Sequence, residues 1–255
     1  MTAAHADLLD GIIRIAYEAG EAILGVYAGA FEVRAKRDAS PVTEADERAE
    51  ELILRRLAAL APDIPVVSEE ASAAGRTPRV GERFWLVDPL DGTKEFVSRN
   101  GEFTVNIALV ESGRPTLGVV LAPALGRLYA GSPVQGALAE EQGERRKIAC
   151  RAAPADGIVV VSSRSHGDEG ALTAFLSGRR VGSAASAGSS LKFCLVAAGH
   201  ADLYPRLGRT MEWDTAAGHA VLAAAGGSVT ALDGTEVAYG KPGFVNPHFV
   251  AAGRA

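Results

Sequence analysis

Two aspartates three residues apart follow directly on an apolar run. Residues 85–93 read Trp-Leu-Val-Asp-Pro-Leu-Asp-Gly-Thr, so a predicted buried strand ends at Asp88 and Asp91, and Pro89 and Gly92 favour a tight turn. Carboxylates this close repel each other and are costly to bury unless a cation neutralises them. Hard oxygen ligands of this kind suit Mg²⁺. The alternative is an Asx-type turn, in which either aspartate only caps local backbone.

Two other segments also place acidic residues next to apolar ones. Residues 64–70 (Ile-Pro-Val-Val-Ser-Glu-Glu) end in Glu69 and Glu70, and residues 211–215 (Met-Glu-Trp-Asp-Thr) place Asp214 just ahead of a predicted helix of small residues. Active sites of layered α/β proteins favour the ends of strands. Three separate acidic segments therefore predict one shared metal site and disfavour a simple capping role.

Several motifs in the chain are similar to those of a known enzyme superfamily. The acidic segments resemble the motifs Asp-Pro-Leu/Ile-Asp-Gly-Thr and Trp-Asp-x-Ala-Ala/Gly of the lithium-sensitive, magnesium-dependent sugar phosphatases, which include inositol monophosphatase. The resemblance extends from about residue 8 to the segment Asn246-Pro247-His248-Phe249, with no departure at a metal-ligand position. The stretches that resemble its 3'(2'),5'-bisphosphate nucleotidase branch are residues 40–46, 88–96, 189–199, 202–208 and 212–222.

This resemblance implies a catalytic centre built on two or three Mg²⁺ ions. The ligands that it implies are Glu69, Asp88, the backbone carbonyl of Leu90, Asp91 and Asp214. It also implies that Thr93, paired with Asp46, orients and deprotonates the attacking water. For Asp46 alone, capping of a helix is the alternative role.

A second group of residues is predicted to bind the substrate. Gly188-Ser189-Ser190 opens a predicted helix, so its free amides and hydroxyls could cradle a phosphate or a ribose, and Lys192 adds a positive charge. Residues 163–166 (Ser-Arg-Ser-His) resemble a nucleotidase segment near the second phosphate or the nucleoside. The alternatives are an ordinary Ser-rich turn, a solvated Lys192 and a structural His166. The predicted substrate-binding residues are Glu69, Leu90, Asp91, Gly92, Thr93, His166, Ser189, Ser190, Lys192 and Asp214.

The periodicity of the chain predicts an α+β amino-terminal part. Apolar residues at helical spacing between Leu9 and Tyr27 predict a first amphipathic helix, and Thr43 followed by Asp46 predicts the start of a second. Residues 103–109 alternate as a strand with one apolar face, and residues 111–115 break it as a hairpin does.

Beyond this part, strands at 158–161, 180–181 and 202–204 alternate with helices near 169–177, 190–198 and 214–225, which predicts an α/β arrangement. The charged segment 140–147 is interpreted as a lobe boundary. We therefore predict an amino-terminal lobe (1–145) with most of the metal ligands and a carboxy-terminal lobe (146–255) with substrate recognition and the last ligand. The resemblance implies a layered αβαβα sandwich with the metal site between the lobes.

Composition limits the classes of partner. The net charge of −5 offers no basic surface for a nucleic acid polymer, so a small anionic substrate must be drawn in by local cations. Cys150 and Cys194 show no paired spacing and are predicted to be buried thiols in a reducing compartment. No signal peptide or transmembrane segment is predicted, so we expect a cytoplasmic protein. The resemblance implies a monomer or a homodimer. Peripheral attachment to the inner membrane is suggested by the resemblance alone.

The functional hypothesis is a Mg²⁺-dependent phosphatase that removes the 3'-phosphate of adenosine 3',5'-bisphosphate to give AMP, clearing a by-product of sulfate assimilation. A second candidate substrate is 3'-phosphoadenylyl sulfate. The alternative enzyme is an inositol or sugar monophosphatase, because the metal motif specifies the reaction and not the alcohol. A catalytically silent metal- or nucleotide-binding regulator is disfavoured, because every position expected to do chemistry holds a competent residue.

Overall fold

The computed structural model describes residues 2–35, 41–164 and 169–254. The helices are α1 (Thr2–Tyr27), α2 (Glu44–Leu60), α3 (Glu69–Ala73), α4 (Thr93–Val97), α5 (Glu169–Leu176), α6 (Leu191–Ala197) and α7 (Ala216–Ala224). The strands are β1 (Val33–Ala35), β2 (Pro41–Thr43), β3 (Val66–Ser68), β4 (Arg83–Asp91), β5 (Thr104–Glu111), β6 (Arg114–Ala122), β7 (Arg127–Ser132), β8 (Gly136–Glu141), β9 (Glu144–Ile148), β10 (Ile158–Ser163), β11 (Val181–Ala187), β12 (Leu203–Arg206), β13 (Ser228–Ala231) and β14 (Phe249–Ala252).

A first sheet contains the strands β3 to β9 in chain order. Its pairs are antiparallel except for β3 and β4, which run parallel. Helices α1 and α2 pack on one face of this sheet and α7 packs on the other. Residues 104–110 of β5 are therefore buried on both faces, and the prediction of a strand with one apolar face was wrong because the sheet lies between two helical layers.

A second sheet has the strand order β11-β10-β12-β14-β13. Helix α6 contacts both α7 and this sheet, so α6 and α7 form the layer between the two sheets. Helix α7 approaches the first sheet closely because Gly118 lies under it, where a Cβ atom would be 2.4 Å from the carbonyl oxygen of Ala217. This close packing fixes the segment that leads into α7 and carries Asp214.

The layered α+β prediction is confirmed, with local exceptions. Helix α2 begins after Thr43 with the predicted capping box, and Cys150 and Cys194 are buried free thiols. The segment 140–147 contains a turn, as predicted, and this turn joins β8 and β9 of the first sheet, so the predicted boundary at 145/146 falls inside β9. The division into two lobes at that boundary stays a prediction.

Candidate active site

The predicted metal-ligand positions come together in one cleft of about 770 Å³. Glu69 begins α3, directly after the edge strand β3, and Asp88 lies on the neighbouring strand β4. Asp214 reaches the same cleft from the connection between β12 and α7. The cleft is lined by all five predicted ligand residues, Glu69, Asp88, Leu90, Asp91 and Asp214.

An irregularity in β4 aims both of its aspartates into the cleft. The strand continues to Asp91, but its pairing with β5 shifts between Asp88 and Asp91. The amide of Leu90 donates to Asp88 Oδ1 over 3.0 Å, which makes the short turn. Gly92 then takes a left-handed conformation with φ of 92°, which glycine adopts without steric cost, and α4 begins at Thr93. The local Asx turn and the shared acidic site are therefore both present.

The carboxylates are close enough for one cation to contact several of them. Ligand oxygens of Glu69, Asp88 and Asp214 all lie within 4.8 Å of one another. Burial raises the pKa of Asp91 to about 6, although Lys192 opposes the shift. Burial and the charges of Asp91 and Glu69 raise the pKa of Asp214 well above its ordinary value. An all-oxygen donor set whose members resist ionisation without a cation fits Mg²⁺.

Asp46 takes part in both of the arrangements proposed for it. Its Oδ2 accepts a hydrogen bond from the amide of Thr43 at 2.8 Å, as a capping box requires, and another from the Thr43 hydroxyl at 2.7 Å. Its Oδ1 accepts from the hydroxyl of Thr93 at 3.3 Å. The cap therefore fixes one oxygen of Asp46 while the other faces Thr93 at the cleft.

The turn before α6 is engaged within the protein rather than free. The amide of Gly188 donates to Glu102 Oε2 at 2.8 Å, so the expectation of a free amide there was wrong. The hydroxyl of Ser189 donates to the Glu102 carbonyl at 2.9 Å, and that of Ser190 to the Asp214 carbonyl at 2.7 Å. Ser189 is left-handed with φ of 44°, which this packing enforces. Ser189 still lines the cleft, whereas Ser190 supports the segment of Asp214.

Lys192 is buried rather than solvated. Its Nζ donates to the carbonyl oxygens of Ala187 and Ser189, at 3.2 and 2.6 Å, and lies 5.3 Å from the centre of the Tyr204 ring. Burial lowers its pKa to about 8, while the charge of Asp91 opposes the shift. Because an ammonium group has three donors, one can still reach a ligand in the cleft. The substrate-binding role of Lys192 stays a prediction.

Other site residues were missed or lie outside the described ranges. Asn106, a polar residue within the buried strand β5, donates through Nδ2 to Asp91 Oδ2 at 3.3 Å and to Ser190 Oγ at 3.0 Å. A single amide in an otherwise apolar run was the signal that could have identified it. Arg206 also lines the cleft. His166 lies outside the described residues.

The fold and the acidic cleft define a family of metal-dependent phosphatases. A sequence model of the inositol monophosphatase family matches residues 5–254, and the chain belongs to this family. Within the described residues, no helix combines the length and the apolar character that crossing a bilayer requires.

Similar proteins narrow the resemblance to one branch. The 3'(2'),5'-bisphosphate nucleotidase CysQ of Salmonella typhimurium is 50% identical over 245 residues, which cover 95% of this chain and 98% of the relative. The CysQ crystal structure from Bacteroides thetaiotaomicron aligns with a TM-score of 0.80 at 37% identity, over 97% of each chain. The inositol monophosphatase of Anabaena aligns with a TM-score of 0.77 at 26% identity, over 100% of this chain and 92% of that one. The resemblance to the nucleotidase branch is thus confirmed.

Proposed function

We propose that this chain hydrolyses the 3'-phosphate of adenosine 3',5'-bisphosphate to give AMP and inorganic phosphate. The observation that carries the proposal is the cluster of Glu69, Asp88 and Asp214, with ligand oxygens within 4.8 Å of one another, next to the Thr93–Asp46 pair. Curated nucleotidases that are 50% identical over almost their whole length support the choice of substrate. An inositol or sugar monophosphatase is the second candidate, because solved relatives with that activity share the fold.

The donor set supports binding of Mg²⁺ at two or three positions. Glu69, Asp88 and the Leu90 carbonyl would hold one ion, while Asp88, Asp91 and Asp214 would hold a second. A third, weaker ion would rest on Glu69. When bound, these ions neutralise the charge of the phosphate and of the leaving oxygen and make a water molecule more acidic.

The residues of the chain orient the attack. The Thr93 hydroxyl donates to Asp46 Oδ1, so its oxygen lone pairs face away from that bond and can accept a proton from water. As the water oxygen bonds to phosphorus and the bond from phosphorus to the 3'-oxygen breaks, the proton of the water passes to Thr93 Oγ1 and the hydroxyl proton of Thr93 moves to Asp46 Oδ1. The leaving 3'-oxygen takes up a proton from solvent water. The capping hydrogen bonds from Thr43 hold Asp46 still during this transfer.

A panel of phosphate esters tests the proposed substrate. Purified protein with Mg²⁺ is assayed for phosphate release from adenosine 3',5'-bisphosphate, 3'-phosphoadenylyl sulfate and inositol 1-phosphate. We expect kcat/KM to be at least about 100-fold higher for the adenosine bisphosphate than for inositol 1-phosphate, which corresponds to about 2.7 kcal/mol of additional transition-state binding. A higher value for inositol 1-phosphate would support the second candidate, and no turnover of any ester would contradict both.

Lys192 should contribute to binding of the group that does not react. We expect Lys192→Met, which keeps the apolar stem, to raise KM for the adenosine bisphosphate by about tenfold or more, because one charge-assisted contact contributes about 1.5–3 kcal/mol. The KM for inositol 1-phosphate should change little. Steady-state kinetics on both substrates check this, with Lys147→Met on the exposed strand β9 as the control. Equal losses on both substrates would assign Lys192 to the scaffold of the Ser189 turn.

The setting of this reaction follows from its chemistry. Adenosine 3',5'-bisphosphate remains when a sulfonate group is removed from 3'-phosphoadenylyl sulfate, so the proposed activity would serve sulfur metabolism. A cytoplasmic location and a monomeric or dimeric state remain predictions.

A further inference from the structure

The segment that carries Asp214 is held by residues about thirty positions later in the chain. Residues 211–215 connect β12 to α7, and residues 239–246 lie against them. The two segments form an isolated antiparallel bridge between Met211 and Val245, and the amide of Glu212 donates to the Phe244 carbonyl at 2.8 Å. Asn246, the first residue of the segment Asn246-Pro247-His248-Phe249, therefore lies directly behind residues 211–215, which carry Asp214.

Asn246 is linked to the carboxylate of Asp214 through a single residue, Met211. Its side chain is buried, and Nδ2 donates to the Met211 carbonyl at 2.7 Å and to Thr215 Oγ1 at 3.0 Å. The amide of Met211 in turn donates to Asp214 Oδ2 at 2.8 Å, and the amide of Asp214 donates to the Met211 carbonyl at 3.2 Å. Asn246 thus binds Met211, and Met211 in turn holds both the side chain and the backbone of Asp214.

A buried carboxylate fastens the supporting segment in place. Glu212 is fully buried and accepts hydrogen bonds from the amides of Gly240 and Lys241, at 2.7 and 3.0 Å. The ammonium group of Lys241 completes an ion pair with it at 2.6 Å. The same ammonium group donates to Asn246 Oδ1 at 3.4 Å, which fixes the orientation of the amide. Because the buried carboxylate of Glu212 is bound by the amides of residues 240 and 241 and by the Lys241 ammonium group, the backbone of residues 240–246 has little freedom to move and forms a rigid support.

Such a support is needed because the carboxylates of the cleft repel one another. Asp214 lies near Asp91 and Glu69, and repulsion favours rotation of one of them towards solvent when no cation is bound. We propose that Asn246 is a positioning residue, which holds Asp214 in its metal-binding orientation through Met211. The proposal rests on the metal site of the proposed function, but not on the identity of the substrate.

Two substitutions of Asn246 test this role. Asn246→Ala removes the donations from Nδ2 to Met211, Thr215 and Thr210, while Asn246→Asp keeps the shape and the acceptor for Lys241 but replaces the donor by an acceptor. Because Asn246→Asp adds a negative charge, electrostatics alone would strengthen cation binding, so weaker binding reports lost positioning. His248→Ala, an exposed position two residues away, is the control.

The readout is binding of Mn²⁺ to the metal-free protein, measured by titration calorimetry without substrate. We expect the dissociation constant to rise about tenfold or more in both Asn246 variants and to stay unchanged in His248→Ala, since partners that orient metal ligands typically contribute 10–100-fold. At saturating Mg²⁺, KM for the phosphate ester should be unchanged.

Three outcomes would overturn the proposal: wild-type Mn²⁺ affinity in a folded Asn246 variant, an equal loss in His248→Ala, or loss of cooperative thermal unfolding in both Asn246 variants. A wild-type protein that binds Mn²⁺ without hydrolysing the adenosine bisphosphate would contradict the proposed substrate and leave this test valid.

Discussion

Asp91→Asn should abolish phosphate hydrolysis while making the metal-free protein more stable near neutral pH. The substitution keeps the size of the side chain but removes one of the charges that line the cleft. Without the full set of carboxylates the cations bind weakly, so we expect kcat/KM to fall by at least about 10³-fold, or about 4 kcal/mol of transition-state stabilisation. Phosphate release at the Mg²⁺ concentration that saturates the wild type measures this loss.

The stability gain has a defined dependence on pH. Burial raises the pKa of Asp91 from 3.8 to about 6 in the folded protein, so the folded state holds a proton that the unfolded state has released. The stabilisation is therefore complete below about pH 4 and is lost as the pH rises through about 6, and the total loss amounts to roughly 2–3 kcal/mol. Thermal unfolding of metal-free protein between pH 5 and 7.5 should show a smaller decline in Asp91→Asn than in the wild type.

An exposed aspartate provides the matched control for this experiment. Asp63→Asn removes the same charge outside the cleft and should change neither turnover nor the slope of stability with pH. If Asp91→Asn retained near-normal turnover, Asp91 would not be a metal ligand and the arrangement of two ions would be wrong.

Thr93→Ala should lower kcat by about 10²-fold or more on every phosphate ester. Removing the hydroxyl takes away the group that donates to Asp46 Oδ1 and would accept the proton of the attacking water. The loss is independent of the leaving alcohol, because the alcohol is on the far side of the phosphorus. We expect KM to change little, and steady-state kinetics on a bisphosphate and a monophosphate measure both quantities.

Thr93→Ser separates loss of the hydroxyl from loss of packing. Serine keeps the hydroxyl and removes only a methyl group, so this variant should recover most of the wild-type kcat. Melting temperatures of both variants should be close to that of the wild type, since Thr93 is only partly buried. A Thr93→Ser protein as slow as Thr93→Ala would remove the proton-transfer role from this residue.

The sequence predicted the parts of the site that depend on local order. Asp88 and Asp91 follow an apolar run, and the turn between them is set by the neighbouring Pro89 and Gly92, so both position and chemistry could be predicted. The capping box of Thr43 and Asp46 is likewise contained in four residues. Local spacing specifies such features whatever the rest of the chain does.

The parts that could not be predicted depend on contacts between distant segments. The Ser189 hydroxyl was predicted to be free because no residue near it in sequence accepts a hydrogen bond from it. The acceptor is the carbonyl oxygen of Glu102, which is 87 residues away. A solvated Lys192 was an open alternative in the sequence, because only the folded turn brings the carbonyls of Ala187 and Ser189 to its ammonium group. The alternation of residues in β5 predicted that only one face of the strand is buried. Both faces are buried because helices pack on both sides of the sheet.

The order of strands in the second sheet bears on when the protein can become active during its synthesis. Strand β14 is the last described strand in chain order, yet it lies between β12 and β13, pairing with both. A nascent chain whose residues 249–252 are still inside the ribosomal tunnel can complete the first sheet but lacks the strand between β12 and β13 of the second. Asp214 follows β12, so although α7 packs on the first sheet, the second sheet next to Asp214 is unfinished until β14 is added. We therefore expect metal capture to be a late event in biogenesis.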